Sequence, residues 1–198
     1  MSKPTFLILC RPRSRSAWLA NFLTYGDASF CLHEGLLGCA SLAELARRLQ
    51  DLPARVVGAA DTGLIHFADE IANEIANEAP QRTRVVVLTD SDTRWHRFAL
   101  QRGIPSQAVE KVDAAYRRAI ERLPAIMLVD SLDVLPAMYH LWRWLGIGVE
   151  FPVARFEMLR SLRIEVDEDA LARRVAAHFQ SGGMMPNVGS VGVLRAPD

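Results

Sequence analysis

The chain reads as an α/β protein in three layers, a mostly parallel sheet flanked by helices on both faces. Three observations predict this. Strand-like apolar runs alternate with amphipathic helical stretches along most of the length. The runs are continuously apolar rather than alternating, as expected of strands covered on both sides. Finally, 198 residues, half of them apolar, suffice for one sizeable core. We find no internal repeat and no low-complexity insert. Residues 1–180 read as a single domain. Residues 181–198, rich in Gly, Pro and small residues, read as a loop or lid with an ordered piece at 191–194.

The elements follow in order. Residues 5–10 form a strand and residues 16–24 the helix after it. Residues 41–50 form a helix that opens on Ser41 with Glu44 three positions on, a capping-box pattern. Residues 55–60 make a weaker strand. Residues 64–78 make a helix with Phe67, Ile71 and Ile75 on one face. The β-branched run 84–88 is a strong strand. Residues 93–102 form a helix closed by Gly103. A helix over 106–122, a strand over 126–129 and helices over 136–145, 154–162 and 168–179 complete the series. In open α/β sheets, ligands bind beyond the carboxyl ends of the strands. Residues 11–16, 60–62, 89–92 and 130–131 are therefore expected to converge on one crevice.

Composition narrows the function. Basic and acidic residues number 23 each, so formal net charge is zero. Broad attraction to nucleic acid or to an anionic membrane is not expected. Lys3 and Lys111 are the only lysines. Three cysteines without CxxC spacing indicate neither a disulfide framework nor a zinc site, and Cys10 reads as a buried small hydrophobe. The histidines show no metal-ligand spacing. The absence of a signal-peptide pattern and of a membrane-length apolar segment points to a soluble, cytoplasmic protein. The oligomeric state stays open.

The most informative stretch is Cys10-Arg11-Pro12-Arg13-Ser14-Arg15-Ser16-Ala17-Trp18-Leu19, set between a strand and a helix. A helix start presents N–H groups without intrahelical acceptors and a partial positive charge, which suits phosphate or sulfate. Arg13 and Arg15 add charged donors, Ser14 and Ser16 add hydroxyls, and Ser14 is placed to cap the helix. No GxxxxGK[ST] loop is present.

Residues 12–19 instead resemble the phosphosulfate loop of sulfotransferases, whose pattern runs Pro, Lys or Arg, Ser, Gly, Ser or Thr, any residue, Trp or Leu, Leu. Pro12, Arg13, Ser14, Ser16, Trp18 and Leu19 fall on the pattern, whereas Arg15 stands where the family carries glycine. The resemblance implies a P-loop-NTPase-like fold and 3′-phosphoadenosine 5′-phosphosulfate (PAPS) as sulfuryl donor, without a metal. It places Pro12 to Ala17 at the donor, with Arg13 on the leaving oxygen. Bacterial-type and heparan-type members carry a base glutamate at a similar distance after the loop. The resemblance therefore implies Glu34 as base for an acceptor hydroxyl, on a small molecule or a glycan, with His33 beside it as an alternative base or an orienting group. The family's 3′-phosphate positions depart: they hold Thr89 and Arg97, with Asp90 and Asp92 close by. Arg94 and Arg97, three apart on the next helix, are candidates to replace the missing pair. Two other readings stay open: metal-dependent phosphoryl transfer on the same fold, and a binding protein that has lost its donor site.

The remaining motifs read structurally. Asp61 reads as the cap of the next helix. Trp18 reads as a packing anchor. Trp142 and Trp144, two apart, cannot share a helix face, so one is core and the other peripheral.

Overall fold

The computed structural model describes residues 2–77, 83–90, 94–161, 163–166, 173 and 192–195. It confirms the α/β class. Five strands, β1 (Thr5–Leu9), β2 (Ser29–His33), β3 (Val56–Asp61), β4 (Thr83–Thr89) and β5 (Ile126–Leu128), form a sheet of order β2-β3-β1-β4-β5. Every pairing in it is parallel. The helices are α1 (Ser16–Leu23), α2 (Leu42–Gln50), α3 (Ala68–Asn77), α4 (Arg94–Gln101), α5 (Ser106–Arg122), α6 (Leu135–Trp144) and α7 (Val153–Ser161). Short 3₁₀ turns at Gly63–Phe67 and Val129–Asp133 follow β3 and β5. A separate antiparallel pair joins β6 (Arg163–Val166) to β7 (Gly192–Arg195).

Successive side chains along a strand point to opposite faces, and this divides the core into two layers. Phe6 and Ile8 of β1 join Val86 and Leu88 of β4 on the face covered by α1, α6 and α7. Leu7 and Leu9 join Val85 and Val87 on the face covered by α2, α3, α4 and α5. Trp18, Phe22, Trp142, Phe151 and Phe156 pack together in the first layer, with Trp18 stacked on Phe22 at 5.7 Å. The two indoles there are buried without an orphaned N–H. Trp18 Nε1 donates to the Leu159 carbonyl at 2.8 Å, and Trp142 Nε1 donates to that of Val149 at 2.9 Å. Trp18 is thus the anchor of α1, and Trp142 is core while Trp144 is exposed.

Several expectations shift by a residue or two, and four change in kind. Residues 29–33 form β2, a strand the apolar pattern does not reveal. Its burial alternates and stops at the exposed His33. The expected helix at 64–78 begins as a 3₁₀ turn, because Asp61 Oδ1 accepts from the Gly63 N–H at 2.6 Å and tightens the entry. Val129 opens a 3₁₀ turn rather than ending β5. Ser14 does not cap α1. Its hydroxyl donates to the Arg11 carbonyl at 2.6 Å, and the cap position is Arg15, whose side chain makes no cap bond. The expected helix 168–179 lies outside the described residues, apart from residue 173. The capping box holds, with Ser41 accepting from the Glu44 N–H at 3.2 Å and Glu44 reaching back to the Ala40 N–H at 2.7 Å. Gly103, at φ 63°, follows α4. No helix among the described residues is long and apolar enough to cross a membrane.

Candidate functional site

Because all five strands run the same way, their carboxyl ends lie along one edge, and β1 sits at the centre with β3 and β4 beside it. The chain passes from one side of β1 to the other between β3 and β4, which opens a crevice at the end of β1. Side-chain bonds across that edge show the expected convergence. Arg11, after β1, pairs with Asp90, after β4. Arg94 reaches Asp130, after β5, at 3.4 Å. Arg15 pairs with Asp133 at 2.6 Å. Ser16 Oγ lies 3.2 Å from His33 Nε2 at the end of β2. Thr62, after β3, donates to both carboxylate oxygens of Glu34 at 3.2 and 3.1 Å.

The loop from β1 to α1 has an unusual backbone. Arg13 (φ 74°), Arg15 (φ 62°) and Glu34 (φ 53°) are the non-glycine residues with positive φ among the described residues. Each left-handed side-chain-bearing residue costs on the order of 1–3 kcal/mol, and such residues cluster at functional sites. Anion-binding nests are built by alternation between right- and left-handed residues, and Arg13 and Arg15 supply two left-handed positions two residues apart. The first intrahelical bond of α1 is Leu19 N–H to the Arg15 carbonyl at 3.0 Å, and no acidic residue stands in the first turn to neutralise it. Arg15 thus adopts the conformation glycine would take at no steric cost, and its guanidinium leans over the Trp18 ring at 4.8 Å toward Asp133. Arg13 is half-buried, with its guanidinium 5.5 Å from the Phe98 ring on α4. Pro12 and Ala17 flank the bend and are half-buried, whereas Ser14 and Ser16 are buried.

Glu34 is held by the end of β3. Its N–H donates to the Ala60 carbonyl at 3.0 Å, and the next turn is fixed where Asp61 Oδ2 accepts from the Leu36 N–H at 2.6 Å. His33 Nε2 is 3.6 Å from Glu34 Oε1. Asp61 is fully buried, and burial pushes its carboxyl above the ordinary value against the pull of the Leu36, Gly63 and Leu64 N–H donors. The cap position of the 3₁₀ turn is Thr62, without a side-chain cap bond, rather than Asp61; Asp61 instead accepts from the Gly63 N–H as β3 ends and ties down the Glu34 loop as well.

Asp90 is buried against Arg11, which also reaches Asp113 at 3.3 Å and lies 4.3 Å over the Tyr116 ring. Burial disfavours the Arg11 charge, but hydrogen bonding and proximity to Asp90 hold it protonated, above its ordinary value. The Asp90 carboxylate is therefore compensated by the protein. Asp92 lies outside the described residues. Arg94 turns toward Asp130, while Arg97 is exposed on α4. Cys10 and Cys31 are buried, and burial pushes both thiols up, so neither offers a reactive thiolate. Among the described residues no cluster of three His, Cys, Asp or Glu could hold a metal ion.

Sequence reading placed Arg11, Asp61 and Thr62 at the converging strand ends but assigned no role to Arg11 or Thr62 and missed the second role of Asp61. Their signal was position, since each stands at or just past the end of a strand. The strand order that makes them neighbours of the loop is not written in local pattern.

The molecule is thus a parallel α/β protein with an arginine-bearing loop, two of its residues left-handed, at the carboxyl edge of its sheet. No family profile matches the chain, and no curated protein is similar to it in sequence. Among solved structures it is similar to a sulfotransferase from Alicyclobacillus acidocaldarius, at 11% identity and a TM-score of 0.48, covering 91% of this chain and 96% of that one. The fold class rests on this chain's own strand order and register.

Proposed function

We propose that the protein transfers a sulfuryl group from PAPS to an acceptor hydroxyl. One observation carries the reading. The described non-glycine residues held in the left-handed region are two in the bend that would receive the donor and one at the base position. The backbone amides of the bend and of the α1 start, with Ser16 and Arg15, hold the 5′-phosphate, while Ser14, whose hydroxyl donates to the Arg11 carbonyl, shapes the bend. Arg13 compensates the bridging oxygen. In the transfer, the acceptor oxygen bonds to sulfur as the bond from sulfur to that bridging oxygen breaks. The acceptor proton passes to the Glu34 carboxylate, and adenosine 3′,5′-bisphosphate leaves with the electron pair. Positioning and compensation of the leaving-group charge are the main demands of such a step. Arg94 and Arg97 are the candidates for the 3′-phosphate, and Arg94 has the better placement because it reaches the strand ends.

Calorimetry tests the reading directly. Adenosine 3′,5′-bisphosphate is expected to bind tightly without metal, and ATP is expected to show no metal-dependent binding. Metal-dependent ATP binding would favour phosphoryl transfer, and silence from both would favour a binding protein that has lost its donor. Arg13→Ala is expected to lower sulfuryl transfer by about 10²–10³-fold, the usual loss for a group stabilising developing negative charge. Near wild-type turnover in that variant overturns the assignment.

A further inference from the structure

A groove of about 480 Å³ opens beside His33 and Glu34 and runs along α2. That volume falls within the range of about 300–1,000 Å³ typical of small-molecule sites. Its walls are not typical. Glu44, Arg47, Arg48 and Asp51 line it, the apolar contribution comes from Leu37 and Cys39, and the one ring is the imidazole of His33, with no Phe, Tyr or Trp in the lining.

We infer that this groove is the acceptor subsite and that it takes a neutral polyhydroxylated acceptor, such as a saccharide. The inference rests on the sulfuryl-transfer reading and deepens it. Position is the first argument. His33 stands between Ser16, at the start of α1, and Glu34, so a donor on the loop and an acceptor in the groove would meet at the Glu34 carboxylate. Chemistry is the second. Arginines only donate hydrogen bonds and carboxylates only accept them, whereas a hydroxyl does both. A ligand dense in hydroxyls satisfies both kinds of wall at once. A phenol would bury charged groups without partners, and the groove offers it no Phe, Tyr or Trp ring, only the polar imidazole of His33. A polyanion would meet three carboxylates, Glu34, Glu44 and Asp51, against two guanidinium groups.

The available groups can be separated from those already committed. Arg48 donates to the Gly35 and Leu37 carbonyls at 3.2 and 3.0 Å, so it builds the wall. Glu44 holds the Ala40 N–H. Arg47, on the last turn of α2, and Asp51, its C-cap four residues on, are exposed and make no ion pair among the described residues. They are the specificity residues of the subsite.

Saturation-transfer NMR on the full chain, loaded with adenosine 3′,5′-bisphosphate, tests this with three probes: neutral disaccharides, a simple phenol and a uronate-containing disaccharide. The neutral disaccharides are expected to give the strongest contact, and Arg47→Ala is expected to weaken it about tenfold, the usual loss for one hydrogen bond to a charged group. The bisphosphate affinity of that variant is expected to stay unchanged. Preference for the phenol or the uronate overturns the inference, as does no saccharide contact or a contact that ignores Arg47→Ala. Failure of the bisphosphate itself to bind overturns the sulfuryl-transfer reading instead, so the two outcomes are distinct.

Discussion

Thr62 places one hydroxyl proton between the two oxygens of Glu34, and Glu34 is itself held at φ 53°. A carboxylate in a left-handed loop position has other rotamers and other loop conformers open to it. The Thr62 bond and the Asp61–Leu36 bond select one of them. Thr62→Val keeps the shape and removes the proton donor. Its expected effect is a fall in kcat of about tenfold, for one lost hydrogen bond to a charged group, with bisphosphate affinity unchanged. Thr62→Ser is expected to restore most of the loss. Equal loss in both variants, or loss of donor binding, would assign Thr62 to packing instead. At this scale the sequence showed the donor side better than the acceptor side. Residues 12–19 are contiguous, so their chemistry is visible in one line of text. Thr62 and Glu34 are 28 positions apart and meet because β2 and β3 are neighbours.

Strand legibility followed burial. β1 and β4 are covered on both faces and read as unbroken apolar runs. β2 lies at the sheet edge, with Ser29 and Cys31 buried and their neighbours partly open, and it offered no such run. β3 carries a constraint that its weak β propensity conceals. Gly58 stands opposite Phe6 in the parallel register, and a methyl group there would strike the Phe6 ring and the Phe6 carbonyl oxygen. Both strands are central and buried, so neither can move aside without disturbing the loop at the end of β1. Gly58→Ala is accordingly expected to destabilise the fold by at least the roughly 1–3 kcal/mol of an overpacked core. Urea unfolding measures it, and an unchanged midpoint would mean that β1 and β3 are not packed in this register. The glycine thus serves close approach of two strands, and a residue that looks like a strand breaker is required by the strand.

On the scale of the whole molecule, one edge of one sheet gathers residues from β1 to β5, and cross-strand bonds rather than net charge hold that edge together. Periodicity could predict the layers, but not the order β2-β3-β1-β4-β5 that decides which strand ends are adjacent. The buried Asp61 links this edge to global stability. Its carboxyl titrates above the ordinary 3.8 in the folded protein because burial disfavours the charge. Between 3.8 and that raised value the folded state binds more protons at this position than the unfolded state does. Stability from Asp61 is therefore present at low pH and lost as pH rises through that window, with a slope of at most about 1.4 kcal/mol per pH unit. Asp61→Asn removes the titration while keeping the size of the side chain. The unfolding free energy of the wild type minus that of the variant is expected to decline as pH rises from 4 and to level off above the folded value. Unfolding in urea across this range gives that difference directly, with the other carboxylates cancelling between the two proteins. A difference that rises with pH would mean that the three backbone N–H donors outweigh burial and that Asp61 is held as a carboxylate. The Glu34 loop would then be tied down by a full negative charge.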